Sequence, residues 1–326
     1  GLGGAVMSLI WAARRGLSEV ELMDLLGQEG QSLPRMHWSP LYLAAEASLV
    51  NRSGLVGFFH NYLRQAVQRR YLAEVGAQQA AHLRLANYFH GNALGNRRVD
   101  EEPWQLAQAQ VWERLYALLS DLSFFDAAYQ HNEFEIKAYW AQVETGSALR
   151  MVSAYQKMLA APGEHDAYLV WQLGNLLADT GHPLEALSLR EYLANYYRRV
   201  GDQGGLAASI GSQALILRAR GDLDGAMTLH KEEEQICRDI GNQAGLQTSL
   251  GNQANILYAR GDLDGAMALQ KEKERICREL GNKAGLSISL GTQALILKGR
   301  GDLNGALALH KEEERISQQL GDKDSL

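Results

Sequence analysis

The sequence predicts an all-α chain whose second half is a solenoid of stacked helical pairs. Three observations carry that expectation. The phrase GDLDGAMTLHKEEEQICRDIG from Gly221 returns from Gly261 as GDLDGAMALQKEKERICRELG and from Gly301 as GDLNGALALHKEEERISQQLG. The period is 40 residues, the size of a helix-turn-helix unit. Upstream, one short stretch from Leu49 to Phe59 has the pattern of strands, and the remaining apolar residues recur at helical spacing.

Composition sets the boundaries. The chain has 326 residues, 46% hydrophobic and 21% charged, an ordinary soluble composition with room for two or three domains. A net charge of −6 supplies no cationic footprint for nucleic acid or an anionic membrane, so neither is an expected partner. No apolar run reaches the roughly 18 residues of a membrane span, and the N-terminus lacks a signal-peptide pattern. A cytoplasmic protein is expected. The start at Gly1 and the stop soon after the last repeat read as a piece of a longer protein.

Residues 1–75 form the first predicted domain. Val6, Leu9, Ile10 and Ala13 make the stripe of one helix, and Ser18 with Glu21 is a capping box that opens a second, with Gly16 and Gly27 as stops. Ser39-Pro40 reads as the N-cap and first-turn proline of a third helix through Leu41, Leu43, Ala44 and Ala47. Two β-type runs around Asn51-Arg52-Ser53-Gly54 then predict a hairpin. Three helices and a hairpin wing make a winged helix. Its third helix, SPLYLAAEAS, lacks a row of base-reading side chains, which argues against DNA binding.

LSEVELMDLL and WSPLYLAAEASLVNRSGLVGFFHNYLRQAV resemble the winged-helix domain of STAND ATPases, the NACHT and NB-ARC class of signalling switches. The resemblance implies that His60, just after the wing, contacts the phosphate of ADP in the parent protein and holds the closed state. A histidine that merely caps the next helix is the plainer reading. The phosphate-cradling pattern Gly-x-x-x-x-Gly-Lys-Ser/Thr does not occur, so no cofactor is expected in this piece. ATP or ADP and an upstream nucleotide-binding domain would belong to the full-length protein.

Residues 76–160 predict a connector of three to five helices, with a polar loop at Gly91–Arg98. Phe134, Ile136, Tyr139 and Trp140 read as one face, and the aromatic cluster from Trp104 to Trp140 as core packing. His82, His90 and His131 lack metal-ligand spacing and read as surface or interface residues.

Residues 161–326 are the repeat domain, with four units visible from about His165 to Leu320. Leu173-Gly174-Asn175 with Gly181 and Ala186 resembles the tetratricopeptide (TPR) pattern, with each unit longer than usual. Gly221, Gly261 and Gly301 make the turn inside each unit. Ala214, Ala254 and Ala294 meet Ala226, Ala266 and Ala306 across the pair. Cys237 and Cys277 stand one period apart, too far for a disulfide, and are expected as buried free thiols.

Comparing the repeats separates frame from surface. Four columns of the first helix change freely: Ala208/Thr248/Ile288, Ser212/Asn252/Thr292, Leu215/Asn255/Leu295 and Arg218/Tyr258/Lys298. Their spacing is one helical face. The first unit places Tyr168, Gln172 and Asn175 on the same columns. In TPR proteins the first helices line the concave groove, so these residues are the candidate partner-binding groove; neutral drift of a solvated face is the alternative. Lys231-Glu232-Glu233-Glu234 and its copies read as the solvated face of the second helix. There Glu233, Lys273 and Glu313 alternate in sign and suit inter-repeat ion pairs, while His230 and His310, with Gln270 between, read as surface residues.

No nucleophile and base, carboxylate pair or metal cluster stands at a recognisable spacing, so catalysis and a metal site are not expected. The expected function is a sensor arm that binds a protein or peptide. The second expectation is a scaffold, a homo-oligomer assembled through open repeat ends.

Overall fold

The computed structural model describes residues 1–28 and 30–324, in two compact units, Gly1–Lys157 and Met158–Leu326. In the first unit, α1 (Leu2–Ala12), α2 (Glu19–Leu26) and α3 (Arg35–Ala45) precede an antiparallel hairpin of β1 (Leu49–Arg52) and β2 (Leu55–Phe58), then α4 (Asn61–Tyr71). The capping box is present: Ser18 Oγ accepts from the Glu21 N–H at 3.2 Å, and Glu21 Oε2 accepts from the Ser18 N–H at 2.7 Å. Arg52 pairs with Leu55, leaving Ser53 and Gly54 as a two-residue turn with φ of 53° and 86°, whose twist matches the strands. Leu17 bridges to Val56 of β2, just after Gly16 at φ +96°. A Cβ on Gly16 would stand 2.6 Å from the Val56 carbonyl oxygen, so glycine alone lets the chain pass.

The third helix differs from expectation. It begins at Arg35, after Pro34, so Pro40 lies inside the helix and Ser39 is not its cap. The earlier start changes the phase: Trp38 is buried, with Leu41, Tyr42 and Ala45 packed beside it, while Leu43 is 67% exposed. The largest apolar side chain took the core and set the rotation of the helix.

The chain continues with α5 (Val75–His90), α6 (Asn96–Gln108), α7 (Trp112–Ser120), α8 (Leu122–Gly146), α9 (Met151–Ala154) and α10 (Gln156–Ala160), the last beginning in the first unit and ending in the second. These are six helical segments, because the one-turn pieces α9 and α10 are too short to show a period. Leu85 and Phe89 of α5 join the same hydrophobic cluster as Leu9, Trp38 and Val56. Phe125 and Trp140 are buried as core aromatics, whereas Phe134, just past a kink at Asn132 in α8, is exposed.

The expected polar loop ends early, since Arg97 and Arg98 belong to α6, and that helix is core. Glu101, fully buried, accepts from the backbone N–H of Arg14 (3.3 Å), the Arg97 guanidinium (3.3 Å) and Gln105 Nε2 (2.9 Å). His82 is corrected from surface to core: it lies between the rings of Trp11 and Trp104, and its Nδ1 is 2.7 Å from Gln105 Oε1. The Gln105 amide nitrogen donates to the Ala12 carbonyl, so its oxygen faces the imidazole, whose Nδ1–H donates.

The second unit holds four helical pairs: α11 (Ala167–Asp179) with α12 (Pro183–Val200), α13 (Gln203–Ala219) with α14 (Leu223–Asp239), α15 (Gln243–Ala259) with α16 (Leu263–Leu280), and α17 (Lys283–Gly299) with α18 (Leu303–Asp324). This is an all-α, TPR-like solenoid. Gly221, Gly261 and Gly301 turn the chain with φ of 88°, 83° and 84°, a region L side chains resist. Asp222, Asp262 and Asp302 cap the helices that follow, accepting from N–H groups three residues on at 2.8 to 2.9 Å. Ala214 and Ala226 share one buried cluster with Met227 and Ile256, the small-on-small contact that lets the helices close.

Candidate functional site

On α13, α15 and α17 the repeated residues Ser209/Ser249/Ser289, Gln213/Gln253/Gln293 and Ala214/Ala254/Ala294 are buried. The changing columns lie outward: Thr248, Asn255, Tyr258, Ile288, Leu295 and Lys298 are exposed, and Ser212, Asn252, Thr292 and Arg218 are half-buried. α13 touches α15 and α15 touches α17 directly, so the changing columns of the three first helices line one continuous side of the array.

The first unit departs from that pattern. Tyr168 is exposed on its column, but Gln172 is 2% exposed and Asn175 accepts from the Arg190 guanidinium. Both amides serve the interior and leave the candidate groove. The buried Arg190 guanidinium stacks on Trp171, 3.9 Å from its ring centre, over Gly174, where a Cβ would sit 2.9 Å from Cζ.

The second helices require two corrections. His230 is fully buried, and its column, Arg190/His230/Gln270, threads the interfaces between units. The His230 carbonyl accepts from Ser249 Oγ (2.7 Å) and Gln253 Nε2 (3.3 Å) of the next first helix; the Gln270 carbonyl accepts from Ser289 Oγ (2.9 Å). Only His310, in the last unit, is exposed. The column Glu233/Lys273/Glu313 is likewise no solvated rung. Glu233 is buried against Gly211, with Oε2 2.8 Å from His230 Nδ1, and Lys273 packs on Gly251. The inter-repeat ion pairs run through other columns: Arg198–Glu232 (3.0 Å), Arg238–Glu272 (3.0 Å) and Arg278–Glu312 (2.9 Å).

One sequence signal pointed to the contact between His230 and Glu233. His230 and Glu233 change together to Gln270 and Lys273 in the next unit, then return as His310 and Glu313. A joint change at i and i+3 marks side chains that touch.

In the first unit, a cavity of about 300 Å³ opens between the end of α1, the hairpin and the start of α4. His60 lines it as the N-cap residue of α4, yet its side chain makes no capping hydrogen bond, which removes the plain capping role. Four arginines share the lining. Arg14 is committed to Glu135 (2.7 and 2.8 Å), and Arg15 lies 3.8 Å from Asp100. Arg64, half-buried over the Trp11 ring, has no carboxylate partner among the described residues, and burial lowers its pKa. A cavity with uncompensated guanidinium charge suits an anionic group.

No family model matches the chain. It is 30% identical over 146 residues, 44% of its length, to a TPR repeat-containing protein of Dictyostelium discoideum, and that match spans 9% of the relative. Among solved structures it is similar to BtubC (BKLC) from P. vanneervenii: 14% identity, TM-score 0.47, covering 76% of this chain and 92% of that one. It is also similar to a Signal Transduction ATPase with Numerous Domains (STAND) protein with a tetratricopeptide repeat sensor from Pyrococcus horikoshii: 13% identity, TM-score 0.45, covering 98% of this chain and 45% of that one.

Proposed function

We propose that this TPR repeat protein is the non-catalytic sensor arm of a STAND-type signalling NTPase, binding a protein or peptide on the inner face of its first helices. The observation that carries the reading is the coincidence of variation with exposure: Thr248, Asn255, Tyr258 and Lys298 differ from their counterparts and face outward, while the repeated serines, glutamines and alanines beside them are buried. In this reading residues 1–75 are a winged-helix domain, 76–160 a connector and 161–326 the arm.

The nucleotide part rests on the wing resemblance and the cationic cavity. His60 and Arg64 would face a phosphate of ADP, supplying a directed donor and a fixed charge. The bound nucleotide would supply the chemical energy of the switch; the arm supplies differential binding. A partner shifts the switch only by the difference in its affinity for the two states.

Partner binding is favoured over end-to-end assembly by the last unit itself. Asp224 and Asp264 pair with Arg260 and Arg300 of the following unit, and Arg238 and Arg278 pair with Glu272 and Glu312. Their counterparts in the fourth unit are the neutral Asn304 and Gln318, so a further copy in the same register would lack both hooks.

The test is the triple substitution Asn252→Ala, Asn255→Ala and Tyr258→Ala. A partner recovered by the wild-type chain must be lost while helical circular dichroism and melting stay unchanged. Undiminished binding would place the ligand surface elsewhere. For the cavity, His60→Ala and Arg64→Ala in the full-length protein should each speed ADP release.

A further inference from the structure

The repeat array separates its charges by helix. α13, α15 and α17 have 17 residues each and contain no Asp or Glu. The acids stand on the second helices, as in Asp224, Glu232–Glu234 and Asp239 of α14. This is unexpected in a chain with 38 acidic and 32 basic residues. In the first unit, α11 ends in one acid, Asp179.

The charges that do reach the inner face are cationic. Arg218 and Lys298 occupy the column on which Tyr258 stands between them. Arg220, the C-cap residue of α13, has no carboxylate partner among the described residues: where Asp224 and Asp264 meet Arg260 and Arg300, the position one period earlier is Leu184. Lys273 adds a half-buried ammonium against Gly251 beneath the middle of the face, with no carboxylate paired to it among the described residues. The acids that approach from behind are all partnered: Glu233 and Glu313 lie 2.8 Å from His230 and His310, while Glu234 and Glu274 accept from Gln253 and Gln293 and pair with Arg238 and Arg278. Leu215, Tyr258, Ile288 and Leu295, between 40% and 61% exposed, give the same face apolar footholds.

We infer that the inner face of α13, α15 and α17 selects an extended peptide bearing carboxylates interspersed with aliphatic or aromatic side chains. This rests on the reading of the variable face as the ligand face and names the chemistry of its ligand. An acid-free wall in an acidic protein discriminates by sign: a basic peptide meets like charge at the face, and an acidic one is repelled only by charges behind it, largely screened beyond about 8 Å at physiological salt. The apolar footholds then set register along the array.

The experiment is a selection of random displayed peptides on the whole chain, followed by anisotropy measurements on enriched peptides at low and physiological salt. The expected pool is rich in Asp and Glu with Leu, Ile or aromatic residues. Binding should weaken about tenfold in the double variant Arg218→Glu, Lys298→Glu, less in Arg218→Ala, Lys298→Ala, and with rising salt, at unchanged circular dichroism. A neutral or basic pool that is nonetheless lost on substituting Asn252, Asn255 and Tyr258 by Ala overturns the charge inference and leaves the face as the ligand site. A pool insensitive to both sets of substitutions, or no enrichment, overturns both.

Discussion

Glu233 Oε2 lies 2.8 Å from Nδ1 of His230, inside a solenoid where both side chains are buried. The pair fills the space that Gly211 leaves open on the partner helix. A buried ionisable pair is costly to break and less costly to replace as a unit.

Exchanging the pair for the one used in the next repeat tests that coupling. His230→Gln or Glu233→Lys alone leaves a buried polar group without its partner and should cost about 1 to 3 kcal/mol. The double variant copies Gln270 and Lys273 and should recover most of the loss. Urea midpoints of the four proteins form the cycle, and additive losses would show that the two positions act independently.

Two glycines in first helices should respond oppositely to alanine. A Cβ at Gly211 would stand 2.7 Å from the Glu233 carboxyl carbon, so Gly211→Ala displaces the carboxylate and lowers the urea midpoint. At Gly299 the nearest atom, Leu263 Cδ1, is 3.5 Å away, an ordinary contact, so Gly299→Ala should gain up to about 1 kcal/mol of helix propensity.

Burial decides the cysteine chemistry. It pushes the Cys237 thiol up to about 11, with Glu233 adding to the shift, and also raises Cys277. At pH 8 the native chain should react with Ellman's reagent far more slowly than the denatured chain, which should titrate both thiols. Rapid native reaction would contradict the packing of α14 and α16.

Acid stability should depend on Arg14 and Glu135. The Arg14 guanidinium holds the Glu135 carboxyl below its usual value, so this pair contributes stability above the unfolded pKa of about 4.3, lost as pH falls through the folded value. Arg14→Met should therefore lower stability at neutral pH and flatten the acid limb of a melting-versus-pH profile. Glu101 acts with opposite sign: burial raises its carboxyl, so its contribution declines as pH rises through its folded pKa.

The sequence alone determined what is periodic and local. The 40-residue repeat, the turn glycines and the Ser18 and Glu21 capping box each follow from residues a few places apart, and each stands where it was expected; the hairpin is also present, but its turn is Ser53-Gly54 alone, because Asn51 and Arg52 belong to β1. The outward columns of α13, α15 and α17 were also legible, because helical spacing converts a pattern of variation into a face. Tertiary structure alone decided which charged and polar groups are interior. Glu101 and Arg190 look like surface residues by type, and Gln172 like a groove residue by column, yet all three are buried. Arg14 finds its carboxylate 121 residues away, on α8. Burial of a polar side chain is set by elements that arrive from elsewhere in the chain, whereas the joint change of His230 and Glu233 records only their own contact within α14.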